Sequence, residues 1–383
     1  MVDARTPGRL GYGGCMMSPT PQLAGLALAA LLSTTTQGEV WTVDDDGPAD
    51  FSSIQEAIEA SADGDRIEIR AGTYAVLDFG ADPLANIDSR DLELIGVDGR
   101  EVTILDAQSY APVITLFGWD GIGDDGLFSA RLKISGVTIR NGASGGIQAF
   151  SYNDGPGIEL IVDDCIIENC REPGIWMGGD IRRLEVRRSV IRNNDSTYLS
   201  GGICADESDF LLIEQCVFTG NYSDTLGGAL RLWGAYQDPS LIQINDCIFE
   251  DNIASQGAAI SGNHVELQIT NTRFATNSGG QGTALYIPFD STATISGSYF
   301  CENGPQQFEG EWTDLGGNQF EVSCNPSQPC PGDLDQDWIR GGTDLARLLA
   351  AWGACSGCEE DLSGDGFVDG TDLAFILAYW GPC

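Results

Sequence analysis

The 383-residue chain holds one histidine, His264, and one lysine, Lys133. So little histidine comes close to excluding a His-ligated zinc site or a His-based phosphoryl relay. Basic residues are scarce altogether. Nineteen Lys and Arg stand against 57 Asp and Glu, a formal net charge of −38. A chain this acidic is a poor partner for nucleic acid or anionic lipid. Long apolar runs are missing too: residues 23–32 form a run of ten, too short to span a bilayer. No membrane insertion is expected. What is present argues for a folded core, because 42% of residues are hydrophobic and only 20% are charged. Fifty glycines imply many tight turns and few long helices.

The run at 23–32 suits the apolar stretch of a signal peptide. Arg5 and Arg9 precede it, and Thr36-Gln37-Gly38 supplies a small-residue exit, so 1–38 reads as a signal peptide. Export would place the protein outside the cell or on its surface, where disulfides persist. Of the 12 cysteines, Cys15 falls in the removed segment. The remaining 11 are odd in number, so at least one thiol is free or pairs between chains.

Between residues 130 and 303 one pattern recurs: an alternating strand, a two-residue step, an apolar residue, then Asn. The Asn positions are 141, 169, 193, 221, 252, 277 and 303. A large apolar residue precedes each by two or three positions: Ile139, Ile167, Ile191, Phe218, Phe249, Phe274, Phe300. The inward pairs upstream run from Leu132/Ile134 and Leu160/Val162 to Leu267/Ile269 and Ala293/Ile295. A second strand follows, with Ile147, Ile175, Ile203, Leu230, Ile260 and Leu285 inward. Period-2 strands in a unit of about 26 residues exclude helical repeats. Each unit is too short to bury its own apolar face, so the units must stack at roughly 4.8 Å, sharing one core. The Asn column fits a left-handed turn with stacked amides. The expected fold is all-β, a right-handed parallel β-helix of about ten coils over 39–325.

The segment WTVDDDGPADFSSIQEAIEASADGDRIEIRAGTY (41–74) resembles the opening of pectin-lyase-like β-helix proteins. Ser52-Ser53 would cap a short helix with Ile54, Ala57 and Ile58 inward, closing the end of the core. Asp65–Ile69 would be the first strand. Many proteins of this kind are polysaccharide lyases or hydrolases, but the resemblance specifies fold, not reaction. Asp163-Asp164-Cys165 is similar to the Asp-Asp-Cys element of polygalacturonases, yet their Gly-His-Gly and Arg-Ile-Lys are absent. The lyases' Trp-Ile-Asp-His and the methylesterases' Asp-Phe-Ile-Phe-Gly are absent as well.

Six arginines fall in residues 171–192: Arg171, Arg182, Arg183, Arg187, Arg188 and Arg192. Aligned coils put Arg183 beside Glu159, Arg187 between Asp163 and Glu214, Arg188 beside Asp164, and Arg192 between Glu168 and Thr219. That register favours an inter-coil ion-pair ladder over a polyuronate patch. The second strand's outward face is the better candidate surface. One column there reads Gln148, Trp176, Cys204, Arg231, Ser261, Tyr286; the next reads Phe150, Gly178, Asp206, Trp233, Asn263, Pro288. Phe150, Trp176, Trp233 and Tyr286 would form a platform for sugar rings, with Asp206, Arg231 and Asn263 as polar contacts. The opposing reading has the loops at 118–129 and 234–239 fold over these aromatics. Cys216 and Cys247 fall in adjacent coils, either as a disulfide or as two buried thiols. Cys301 and Cys324 bracket the last coil and would staple it.

After a linker at 326–329, residues 330–355 and 358–383 form a duplication at an offset of 28. The second copy reads DLSGDGFVDGTD (361–372). Asp361, Ser363, Asp365, the Phe367 carbonyl, Asp369 and Asp372 fall at positions 1, 3, 5, 7, 9 and 12, with Gly366 at the turn. This spacing lets one short loop converge six or seven oxygens on calcium. A helix with Leu373, Ile376, Leu377 and Trp380 on one face is expected next. The module resembles a dockerin domain, which implies attachment to a cohesin-like receptor. The first copy keeps Asp333, Asp335, Asp337 and Asp344 but has Trp338, Arg340 and Gly341 where the pattern wants Gly, an aliphatic and an oxygen donor. Weaker or absent calcium binding is expected there. Each copy is bracketed by cysteines 25 apart, suggesting Cys330–Cys355 and Cys358–Cys383 as staples.

Two functions fit these residues. One is a secreted monomer that binds or processes extracellular polysaccharide, as a lyase or glycoside hydrolase if it is an enzyme, anchored through its calcium module. The other is a non-catalytic adhesive protein whose β-helix serves as a rigid rod.

Overall fold

The computed structural model describes residues 38–76, 82–119, 130–152, 157–179, 181–208, 210–234, 240–324, 331–334, 339–355 and 357–382. The apolar run of the expected signal peptide and the linker 326–329 lie outside them. The chain winds as a right-handed parallel β-helix. One sheet of short strands is ten strands deep, so the chain makes about nine turns from first to last, one fewer than the repeat suggested. The first and second strands of each coil stack in an 18-stranded sheet, joined by Leu285–Ser296 and Phe308–Asp314, which run through both.

Alternation explains the core. Ile67, Leu94, Ile134, Val162, Val186, Ile213, Ile244, Ile269 and Ile295 stand opposite one another in consecutive coils. All are buried, and each such side chain contributes roughly 1.5–3 kcal/mol on leaving water. On the short-strand side Phe218, Phe249, Phe274 and Phe300 stack with centroids 4.8, 5.1 and 4.8 Å apart and planes within 7°. Phe320 ends the stack, 5.1 Å from Phe300.

Both corners share one grammar. At the first, Gly136, Asp164, Arg188, Gln215, Asp246, Asn271 and Gly297 all have positive φ. The inward residue that follows donates to the carbonyl two residues earlier: Cys165 to Asp163, Ser189 to Arg187, Cys216 to Glu214, Thr272 to Thr270. At the second corner Asn141, Asn169, Asn193, Gly220, Asp251, Thr276 and Glu302 take positive φ. The amide ladder is the next residue along, Asn194, Asn221, Asn252, Asn277 and Asn303. From Asn221 onward each Oδ1 accepts both the backbone N–H and the side-chain amide of the Asn one coil earlier, at 2.9–3.2 Å, while Asn194 Oδ1 starts the ladder by accepting from Cys170 N–H at 3.0 Å. The single Asn column expected from sequence is therefore two adjacent columns. Asn141, Asn169 and Asn193 occupy the turn, and the later four occupy the ladder.

At the N-terminal end the helix α1 (Ile54–Ala60) buries Ile54, Ala57 and Ile58 against the core, as the pattern required. Ser53 is its N-cap but makes no side-chain cap bond. Asp65–Ile69 is not the first strand, because Val40–Val43 precedes it and pairs in parallel with it. Asp65 ties the two together by accepting from Glu39 N, Trp41 Nε1 and Ala62 N. At the other end the Cys301–Cys324 disulfide closes the last coil.

Residues 331–382 carry two short helices, α2 (Gly342–Ala350) and α3 (Gly370–Ala378). Their buried core is small: Leu334, Leu348, Val368 and Ile376. Of the expected apolar face of α3, Ile376 is buried and Leu373 half-buried, but Leu377 and Trp380 remain 55% and 37% exposed. Two nine-residue helices cannot cover a full face.

Candidate functional site

The register of the second strands is the one that alternation demanded. Trp176 stands opposite Gln148 and Cys204, Cys204 opposite Arg231, and Arg231 opposite Ser261. Asp206 stands opposite Trp233, Trp233 opposite Asn263, and Ser261 opposite Tyr286. Phe150, Trp176, Asp206, Arg231, Trp233, Asn263 and Tyr286 are all half-buried on this face. The structure draws them into two groups. Phe150 meets Trp176 edge-on at 4.9 Å, and Phe117 lies 6.3 Å from Phe150, stacked within 22°. Phe117 was not foreseen, because its coil lacks the Asn that marks the later ones; the alternation in Ile114–Trp119 was the available signal. A Cβ at Gly178 would come within 3.2 Å of the Phe150 ring, so the bare glycine makes room for it.

The second group centres on Arg231. Its Nη1 donates to Asp206 Oδ1 and to Cys204 Sγ, both at 3.0 Å, and its guanidinium lies 5.4 Å from the Trp233 ring centroid. Burial pushes the Asp206 carboxyl up, with Arg231 opposing the rise. Burial also pushes the Cys204 thiol up to about 12, so it stays a thiol. Residues 120–129 and 235–239 of the two flanking loops lie outside the described residues. Tyr286 and Asn263 share the face with Trp233 without joining either ring cluster.

The arginine ladder forms, with changed partners. Arg187 reaches Glu214 at 3.4 Å and Arg192 reaches Glu168 at 2.7 Å. Arg183 is opposite Glu159 in register, yet its guanidinium turns to Glu185, which also holds Arg187 at 3.1 Å. Glu185 is 2% exposed, and the two arginines supply the counter-charge its burial demands. Arg188 pairs with Asp163, not Asp164, and Asp164 pairs with Arg100 at 3.3 Å. Both aspartates are committed to structure. Cys216 and Cys247 are free buried thiols, as are Cys165, Cys170 and Cys204.

In the C-terminal module Asp361 accepts from Gly364, Asp365 and Gly366 N–H, folding the loop around its first residue. Gly366 has φ +89°, the conformation its position demands. Asp372 accepts from Ser363 and Asp369 N–H, and Asp369 caps α3 through Thr371 N–H. Burial raises the Asp372 carboxyl, but these donors outweigh it and leave it lowered. The donor set, all oxygen, suits calcium in type and order. Its carboxylates are engaged with the backbone, and among the described residues the groups that bring three ligand atoms within 4.8 Å of one another are Asp44/Asp45/Asp46 and Cys355/Cys358/Glu360, not side chains of this loop. Asp344 plays the part of Asp372 in the first repeat, accepting from Leu334 and Gly341 N–H. Asp335 and Asp337 lie outside the described residues. Arg340 does something spacing did not reveal. It donates to Pro331 O at 2.8 Å and to Tyr379 O at 3.0 Å, tying the first loop to the end of α3.

Both expected pairings, Cys330–Cys355 and Cys358–Cys383, are corrected. Cys355 is bonded to Cys358, with Cα atoms 5.9 Å apart. The antiparallel pairing of Gly353–Ala354 with Phe367–Val368 folds the second loop back on the end of the first repeat and brings them together. Cys330 and Cys383 lie outside the described residues.

A profile of the right-handed beta helix region matches residues 125–300. Similar solved structures include a pectin methylesterase from carrot, 10% identical, covering 76% of this chain and 90% of its own at a TM-score of 0.35. Pectin methylesterase PemA from Erwinia chrysanthemi is 12% identical, with coverages of 73% and 93% and a TM-score of 0.38. The Aspergillus niger pectin methylesterase is 12% identical, with coverages of 76% and 92% and a TM-score of 0.32. No curated protein matches the chain. Among the described residues no helix is long and apolar enough to cross a membrane.

Proposed function

We propose that this is an exported protein whose β-helix binds extracellular polysaccharide along the second-strand face, held in place by a calcium-binding, dockerin-like C-terminal module. The observation that carries the reading is the run of side chains along consecutive coils: Phe117, Phe150 and Trp176, then the Asp206–Arg231–Trp233 group. Coils rise by about 4.8 Å, close to the length of one pyranose residue. Successive rings along the stack therefore suit successive sugars, with Asp206, Arg231 and Asn263 as hydrogen-bonding partners. Binding is favoured over cleavage. Glycoside hydrolysis uses two carboxyl groups flanking the bond, whereas Asp206 is held by Arg231 and faces Trp233 in the next coil.

Glycan-array binding tests the reading. The wild type is expected to bind at least one polysaccharide, and Trp233→Ala and Trp176→Ala to lose that binding. Silence across the array would leave the second reading, an adhesive rod, which the mutual packing of Phe150 and Trp176 favours. Release of reducing ends or unsaturated uronate would show catalysis. For the module, calorimetry is expected to show one calcium site, abolished by Asp361→Ala. Two equal sites would overturn the assignment of calcium to the second loop alone. If the module is an anchor, a cohesin-like receptor is its partner.

A further inference from the structure

The polysaccharide reading leaves the class of glycan open, and the charges on the face narrow it. Among the described residues of the second strands, counting only 285–287 and 308–310 of the two strands that run through both, Arg231 is the one cationic side chain, while Asp88, Asp206 and Glu309 are anionic. Arg231 already carries a carboxylate counter-charge. One of its terminal nitrogens is 3.0 Å from Asp206 Oδ1 and 3.0 Å from Cys204 Sγ, and its plane is held near the Trp233 ring. Its side chain is only 15% exposed. An arriving uronate would have to share a cation that Asp206 already neutralises, or displace Asp206 and leave that carboxylate without a counter-charge. The whole chain, at −38, adds a repulsion that salt screens. The remaining half-buried donors and acceptors of the face, Gln148, Asn263 and Tyr286, are uncharged and suit hydroxyl groups.

We infer that the face selects neutral polysaccharides and rejects polyuronates, with the Asp206–Arg231 pair as the device that withholds the arginine. The inference rests on the second-strand face being the glycan-binding surface. Asp206 then acts as a specificity-determining residue, setting which polymer the aromatic platform accepts.

The test is affinity electrophoresis of the full chain in gels containing xylan, hydroxyethyl cellulose, galactomannan or polygalacturonate. Each gel is run at low and at physiological salt, with calcium and with EDTA. Retardation is expected in at least one neutral polymer and in none of the polygalacturonate gels. Physiological salt distinguishes the pair from bulk repulsion, because at that salt the long-range term is largely screened and the pair still excludes the uronate. Asp206→Asn frees the guanidinium without changing side-chain size, and is expected to gain polygalacturonate affinity by about tenfold. Wild-type retardation by polygalacturonate that matches or exceeds the neutral gels, with calcium or without it, overturns the inference. If Trp233→Ala still abolishes that retardation, the binding surface itself stands. An Asp206→Asn variant that gains nothing overturns the role of the pair. Retardation in no gel at all removes the binding surface and the inference together.

Discussion

In the β-helix, Asn194, Asn221, Asn252 and Asn277 each accept and donate inside a dry corner, coil after coil. In the C-terminal module the same task, holding a turn's backbone N–H groups, falls to Asp344 and Asp372, once per repeat. The difference follows from the cores. A continuous apolar column shields the amides from water, and a charge there would lack a counter-ion. The module's core is only four apolar side chains, and its two caps, though themselves 0–1% exposed, sit among backbone N–H donors, which hold the Asp372 carboxyl below the usual carboxylate range. A stacked amide is indifferent to pH, whereas a carboxylate cap is not.

The largest break in this comparison is expected from Phe249→Ala in the middle of the ring stack. It should cost about 3–5 kcal/mol in chemical unfolding; a loss under about 1 kcal/mol would show that the stack relaxes around the gap. Asn252→Ala orphans the Asn221 backbone N–H, its side-chain amide and the Phe218 carbonyl. About 2–3 kcal/mol is expected, with hydrogen exchange fastest in the two neighbouring corners. Acid should separate the two regions. The Asp372 carboxyl is lowered in the folded state. Its contribution is therefore complete above the ordinary aspartate value of about 3.9 and fades as pH falls through the lower folded value. Amides at the start of α3 should lose protection in acid while the Asn corners keep theirs, an effect of about 1 kcal/mol. Simultaneous loss would refute the contrast. Smallest is the outer ladder: Arg188→Ala removes an exposed pair with Asp163 and should cost under about 1 kcal/mol by thermal melting.

Much of this was legible in the residues. Every inward pair from Leu132/Ile134 to Ala293/Ile295 is buried, because alternation in a parallel stack leaves no second solution. The outward columns were legible for the same reason, which is why Trp176, Arg231 and Trp233 fall in the expected register. The ladder's partners were not. Register puts Arg183 opposite Glu159, but a long side chain chooses among several acids within reach, and Glu185 attracts it because it is buried. Phe117 escaped notice because its coil has no Asn marker. In the module, spacing identified the loop but not the role of Arg340, which depends on where the end of α3 returns.

The sequence alone determined the repeat, the inward and outward faces, the duplicated C-terminal loops and the shortage of positive charge. Those are properties of period and composition. The tertiary structure alone decided that turn and ladder are separate columns, that Cys355 bonds to Cys358, and that Arg231 is spoken for by Asp206. Each of those depends on backbone φ or on side chains from different coils meeting across a few ångströms, and one-dimensional spacing carries neither.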